Sequence, residues 1–241
     1  MIDDMNADKV FRFKKFTVSH SSSSMKVGVD GVLIGAWGNV VGEIGLDLGC
    51  GCGLLALMAA QRNPYCLIEA IDIHLPSVIQ SSANFASSPW KSRLKVALTS
   101  ASDLVSSPGS LNRYDFIISN PPFFNAGLKN ISTPREIARH ASSLSPQSVL
   151  NVSSELLKNG GTVSLIMPYS DIKLLKKPHL LHCERMCKVA NLPGKIPKRI
   201  MLTFRKGISL EESLESLYIR DSSGNYSNDY KALTSDFYLN F

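Results

Sequence analysis

Asn120 is followed by two prolines and two phenylalanines, an order of residue types from which chemistry can be built. The amide offers one acceptor and two donors. Pro121 and Pro122 fix two φ angles and remove two backbone donors, so the apolar run 114–119 has to stop here. The stiff turn also fixes the Pro121 carbonyl. Together the Asn120 oxygen and that carbonyl can accept both hydrogens of a planar amino group. Phe123, or failing it Phe124, gives a face on which an aromatic base stacks. An exocyclic amine is a poor nucleophile because its lone pair is delocalised into the ring. Holding both N–H bonds out of conjugation frees that pair by placement and electrostatics, without a tuned base. Taken alone, Asn-Pro-Pro-Phe is also no more than a rigid turn.

A second constellation precedes it. In "LDLGCGCG", Asp47, Gly49, Gly51 and Gly53 alternate where an apolar run, 43–49, gives way to a helical pattern, 54–62. Glycines admit positive φ and let a ligand approach with no Cβ in the way. The spacing is not the G-x-G-x-x-G of pyrophosphate sites. It suits a ligand with an amino-acid end, such as an S-adenosyl group, whose ammonium Asp47 would neighbour. Asp72 ends the next apolar run, at the distance where α/β cofactor sites place a carboxylate on ribose hydroxyls. Asp103 follows the third run and is either an adenine-ring contact or a helix cap.

The elements that must hold these residues alternate. Strand-like runs at 43–49, 66–72, 93–98, 114–119 and 162–168 are separated by helical patterns at 54–62, 76–86 and 146–161, the last stopped by Gly160-Gly161. Such alternation predicts an α/β, doubly wound, mostly parallel sheet. Two further runs, 199–206 and 216–221, lie close together with no helix between them, which fits an antiparallel edge strand. In such a sheet the tips of the first and fourth strands are neighbours, so Asn120 and the glycines face one crevice.

Composition narrows the setting. The 241 residues carry a net charge of +6, and the opening segment is acidic and polar rather than a secretory signal. No apolar run approaches the length of a membrane span. Five cysteines, an odd number without C-x-x-C pairs, argue for a reducing compartment and against both a disulfide framework and structural zinc. The cytoplasm is the expected location. Charge is uneven: from Lys173 to Lys206 ten Lys/Arg accompany one acid, Glu184, and Lys9, Arg12, Lys14 and Lys15 crowd among N-terminal aromatics. Two such zones are either an alkaline surface or attractors for a polyanion.

"DLGCGCG" together with "NPPF" resembles the class I S-adenosylmethionine-dependent methyltransferases that act on amino nitrogens. The resemblance implies a seven-stranded sheet with an antiparallel last strand. "FRFKKFTVSH", "MKVGVDGVLIGAW" and "SGNYSNDYKALTSDFYL" are similar to the bacterial tRNA(Val) adenine-N6 methyltransferase family. That likeness runs from about Phe11 to the end and is weakest over 174–194. It implies that Asp47, Gly49, Asp72 and Asp103 bind S-adenosylmethionine. Asn120, Pro121, Pro122 and Phe123 then hold an adenine next to the anticodon. Lys26 and Asp30 would cover the methionine end of the cofactor. Lys14, Lys15, Lys195, Lys198 and Arg199 would meet phosphates of an anticodon stem-loop. The family carries a tyrosine where this chain has Phe123, as ribosomal guanine-N2 methyltransferases do not. Protein glutamine N5 and guanine N2 therefore remain alternative targets, as does a non-catalytic RNA-binding module. The expected organisation is an N-terminal arm and lid, 1–36, followed by a methyltransferase domain, 37–241.

Overall fold

A computed structural model describes residues 10–23, 26–122, 144–176 and 178–240, and Phe123 falls outside them. A short hairpin, β1 (Val10–Arg12) and β2 (Thr17–Ser19), leads into α1 (Val29–Trp37). Alternating elements follow: β3 (Ile44–Leu48), α2 (Leu54–Arg62), β4 (Leu67–Asp72), α3 (Leu75–Ala86), β5 (Leu94–Leu98), α4 (Ala101–Ser106) and β6 (Tyr114–Ser119). After the 123–143 interval come α5 (Pro146–Leu156), β7 (Leu157–Pro168), β8 (Leu181–Ala190), β9 (Arg199–Lys206), β10 (Ser213–Tyr218) and α6 (Asn228–Thr234).

The eight long strands form one sheet in the order β10-β8-β9-β7-β6-β3-β4-β5. β9 is antiparallel to both neighbours, and the other pairings are parallel. The parallel, doubly wound sheet expected from alternation is therefore present, with one strand more than the expected seven. The antiparallel strand is interior, between β7 and β8, while β10 closes the edge parallel to β8. β8 escapes sequence reading because "LHCERMCKVA" is half-buried and places Glu184, Arg185 and Lys188 among its apolar positions.

A second correction concerns Gly160-Gly161. α5 ends at Leu156, and the two glycines lie within β7 rather than stopping a helix. Gly160 takes a φ of 81°, and the β6–β7 register shifts between Tyr114 and Phe116. A Cβ on Gly161 would lie 3.0 Å from three backbone carbonyl oxygens, so only glycine passes through this bulge.

Burial accounts for the order of layers. Along β6, Ile117 packs with Val149 and Leu150 of α5, while Phe116 and Ile118 face α1 and α2. α1 is a core helix rather than a detachable lid. Leu33, Ile34 and Trp37 are buried against Leu55 and Ile118, and the expected boundary at residue 36 falls in its last turn. The aromatics of the N-terminal arm are also core, with Phe13 and Phe16 buried beside Met58 and Phe237. No helix among the described residues is long and apolar enough to cross a membrane.

Candidate active site

Each parallel strand delivers its last residue to one edge of the sheet, where a cavity of about 700 Å³ opens. After β3, Gly49, Gly51 and Gly53 all take left-handed conformations, with φ of 78°, 55° and 80°. Their alternation lets the chain fold back tightly: the N–H groups of Gly49 and Cys50 both donate to the Ile71 carbonyl, at 3.0 and 2.9 Å. At Gly49 a side chain would be strained in φ, and its Cβ would lie 2.7 Å from a Leu144 methyl carbon. α2 then begins at Leu54 with seven buried residues, "LLALMAA", which anchor the turn on the sheet.

Asp72 terminates β4 beside this turn. Its carboxylate accepts the Gly51 N–H at 2.9 Å and the His74 N–H at 2.8 Å, and it lines the cavity. Asp103 opens α4 and is locked to Ser100, whose hydroxyl accepts the Asp103 N–H at 3.0 Å and donates to Asp103 Oδ2 at 2.7 Å. Both readings of Asp103 thus hold at once, since it completes a helix cap and lines the cavity. Asn120 and Pro122 line the same cavity, and Pro121 is buried behind them. Ser119 Oγ donates to the Leu48 carbonyl at 2.7 Å, tying the tip of β6 to the tip of β3 and fixing Asn120 beside the glycine turn. Gly31 of α1 forms the adjoining wall, where a Cβ would lie 2.9 Å from a Leu54 methyl carbon and 3.8 Å from Asn120 Nδ2.

Asp47 is placed differently from expectation. It is 0% exposed, beneath the turn rather than on the cavity wall. Its Oδ2 accepts the Ala56 N–H at 2.9 Å, and its Oδ1 has no partner among the described residues. Burial lifts the carboxyl from its ordinary value to about 7; the Ala56 hydrogen bond opposes the rise and the negative Asp72 adds to it. For an acid raised in the fold, stability is fully present below the ordinary carboxylate pKa and is lost as pH climbs from about 4 through 7. Between pH 5 and 8 the wild type should therefore lose on the order of 2–4 kcal/mol that Asp47→Asn does not lose. Urea unfolding of both proteins at the two pH values measures the difference; parallel curves would contradict it.

The other predicted residues separate into two groups. Lys26 lines the cavity. Asp30 does not, because it accepts a hydrogen bond from Arg199 Nε at 2.8 Å, so two residues expected to meet a cofactor and an RNA instead meet each other. Gly53 also lies off the cavity wall; a Cβ there would collide with the Phe85 ring at 2.5 Å. Lys195 and Lys198 are exposed at the same sheet edge as Asn120. Lys14 is not: its Nζ donates to the Ser235 carbonyl at 2.6 Å and its N–H to Phe237 O at 2.8 Å. Gln61, in the last turn of α2, binds the Asp236 carbonyl at 2.8 Å, so the hairpin tip with Lys14 and Lys15 sits at the far end of α2. That is about 12 Å along the helix from the glycine turn.

Sequence reading missed several lining residues. Thr99 and Ser100 directly follow β5, so their place at the carboxyl edge was available as a signal. Leu144, Ser148 and Val152 reach the cavity only through the packing of α5, which leaves no local trace. Cys50 and Cys52 also line it, but burial pushes the Cys50 thiol up and the Cys52 thiol to about 11, so neither is a ready nucleophile.

A Rossmann-like sheet with a glycine turn, a carboxylate ending the second parallel strand and Asn-Pro-Pro at the tip of the fourth defines a class I methyltransferase. The family model "Methyltransferase small domain" matches residues 32–169. Among solved structures, the chain is similar to protein Atu636 from Agrobacterium tumefaciens, a predicted O-methyltransferase (TM-score 0.68, 15% identity, covering 86% of this chain and 96% of that one). It is also similar to the T. thermophilus 16S rRNA N2 methyltransferase (TM-score 0.54, 21% identity, covering 82% and 50%). Among curated proteins, it is 39% identical to the tRNA1(Val) (adenine(37)-N6)-methyltransferase of Mannheimia succiniciproducens, over 96% of this chain and 95% of that protein. It is 38% identical to the protein of the same name from Bacteroides thetaiotaomicron, over 97% and 98%. The chain belongs to the tRNA1(Val) (adenine(37)-N6)-methyltransferase family.

Proposed function

We propose that this protein transfers a methyl group from S-adenosylmethionine to the N6 amine of adenine 37 in tRNA(Val). The observation that carries the reading is one cavity lined both by the Gly49–Asp72 edge and by Asn120–Pro122, the two halves that an amine methylation needs. The choice of tRNA adenine follows from relatives of that name aligned over nearly the whole chain.

The residues present fit the cofactor. A glycine cradle that a Cβ would fill, a carboxylate already aimed into the cavity and a buried Asp47 oxygen beneath the turn are what a cationic nucleoside requires. When bound, S-adenosylmethionine supplies an electrophilic methyl group on a sulfonium sulfur. The Gly49–Gly53 turn would flank its amino-acid end, Lys26 its carboxylate, Asp72 its ribose hydroxyls and Ser100–Asp103 its adenine. Asp47 supports the turn from below through Ala56.

Asn120 Oδ1 and the Pro121 carbonyl accept the two hydrogens of the target amine and turn its lone pair toward the glycine side. The amine loses its proton to water only after methylation, when the nitrogen is strongly acidic, so no side chain has to act as base. Ser119 and Gly31 hold the amide in place, the first by its bond to Leu48 and the second by leaving no side chain in the way. A tRNA substrate places the enzyme in the cytoplasm. Nucleoside mass spectrometry of tRNA from cells with and without the gene tests the reading. Loss of N6-methyladenosine from tRNA(Val) is expected; an unchanged nucleoside profile would overturn it.

A further inference from the structure

The connection between β8 and β9, "NLPGKIPK" (191–198), is built to stand out from the rim of the active site. Lys198 N–H donates to the Val189 carbonyl at 2.9 Å, closing the loop at its base. Tyr169 N–H binds the Lys198 carbonyl at 3.2 Å, and Arg220 N–H the Asn191 carbonyl at 2.9 Å. Between these anchors Pro193, Gly194 (φ 75°) and Pro197 stiffen the projecting turn. At its tip Ile196 is 83% exposed, flanked by the exposed Lys195 and Lys198. Single exposed apolar residues are common, but an isoleucine held on a stiff turn between two lysines is a specific presentation.

Position gives the loop its meaning. It lies at the carboxyl edge, two strands from β6 and so roughly 10 Å from the strand bearing Asn120. Charges near it are already engaged. Arg199 is paired with Asp30, Arg220 Nη1 binds the Gly224 carbonyl at 2.6 Å, and Asp221 Oδ1 accepts the Ser223 and Asn225 N–H groups. Among the described residues, the side chains of Lys195 and Lys198 have no ion-pair or hydrogen-bond partner. Their two charges are therefore uncommitted and face outward beside the cavity. The N-terminal hairpin, by contrast, packs its aromatics into the core and sits at the far end of α2.

We infer that the 191–198 loop is the RNA-docking element of this enzyme. Lys195 and Lys198 contact phosphates of the single-stranded anticodon loop, and Ile196 packs against an unstacked base next to the one delivered to Asn120. The inference rests on the proposed tRNA substrate and deepens it. Bases of such a loop are already partly unstacked, so an apolar residue inserted beside one holds it splayed at little cost. The lysines supply affinity by counterion release, and the isoleucine supplies register.

The test measures binding of a fluorescein-labelled tRNA(Val) anticodon stem-loop by anisotropy at several salt concentrations, with methyl transfer to the same RNA followed separately. Lys195→Gln/Lys198→Gln should weaken binding on the order of tenfold at low salt and reduce the slope of log Kd against log salt by about two. Ile196→Ala should weaken binding several-fold while leaving that slope unchanged. The Kd for S-adenosylhomocysteine, read by calorimetry, should be unaltered in both, showing an intact fold. A loop variant that binds RNA like the wild type overturns the inference even if methyl transfer to adenine proceeds. Loop-dependent binding without any transfer leaves the docking element standing and counts against the proposed reaction. A wild type that does not bind the stem-loop overturns both.

Discussion

Asn120→Ala should lower kcat on the order of 10²-fold or more while leaving cofactor affinity within about a factor of two. The amide is one of two acceptors for the target amine, and a hydrogen-bonding group that acts mainly in the transition state is worth about 2.7 kcal/mol or more when removed. The alanine does not touch the glycine turn, whose hydrogen bonds run to Ile71, Asp72 and Cys50. Nor does it disturb the tie between Ser119 and Leu48. Asn120→Asp keeps an acceptor in place and should lose less. Steady-state kinetics on tRNA(Val), with calorimetric titration of S-adenosylhomocysteine, separates the two quantities. Comparable loss of cofactor binding would show that Asn120 belongs to the cofactor half of the cavity.

Asp72→Ala should do the reverse. The carboxylate accepts the Gly51 and His74 N–H groups and lines the cavity, so it both shapes the turn and presents its remaining lone pairs inward. Two hydrogen bonds to a charged acceptor disappear, each contributing roughly 1.5–3 kcal/mol, and the turn loses its strut. Part of that loss is recovered by water, so cofactor Kd should rise on the order of 10²-fold. At saturating cofactor kcat should fall far less, because Asp72 is not among the groups that hold the amine. Removing it also takes away the negative charge that helps raise Asp47. The pH dependence of unfolding should therefore weaken in the same variant. An unchanged Kd would place the ribose elsewhere.

The two halves of the site could be read from sequence because each is a local signal at a strand end. Asp47, Gly49, Gly51 and Gly53 mark a turn by their own conformational demands, and two prolines stop β6 wherever the chain goes next. What could not be read depends on partners remote in sequence. Asp30 and Arg199 are 169 positions apart, and each looked like a free functional charge until the fold joined them. The aromatics around Lys14 suggested an RNA surface, yet Phe13 and Phe16 are core residues. Asp47 was expected beside the ligand, whereas the pitch of α2 draws its Oδ2 onto the Ala56 N–H below the turn. β8 was hidden because a half-buried strand near a sheet edge tolerates charges that break the apolar run. Gly160-Gly161 misled for the opposite reason. Paired glycines end helices often enough that a bulge in a strand carries no distinguishing mark.

The arrangement depends on a target amine meeting the amide at the tip of β6 while a methyl donor lies along the glycine turn. The structure of the protein with S-adenosylhomocysteine and a tRNA(Val) anticodon stem-loop measures this directly. The expected result is the adenine N6 within about 3 Å of Asn120 Oδ1 and of the Pro121 carbonyl, facing the cofactor sulfur. An N6 beyond hydrogen-bonding distance of both oxygens, with the base bound at another edge of the sheet, would contradict it.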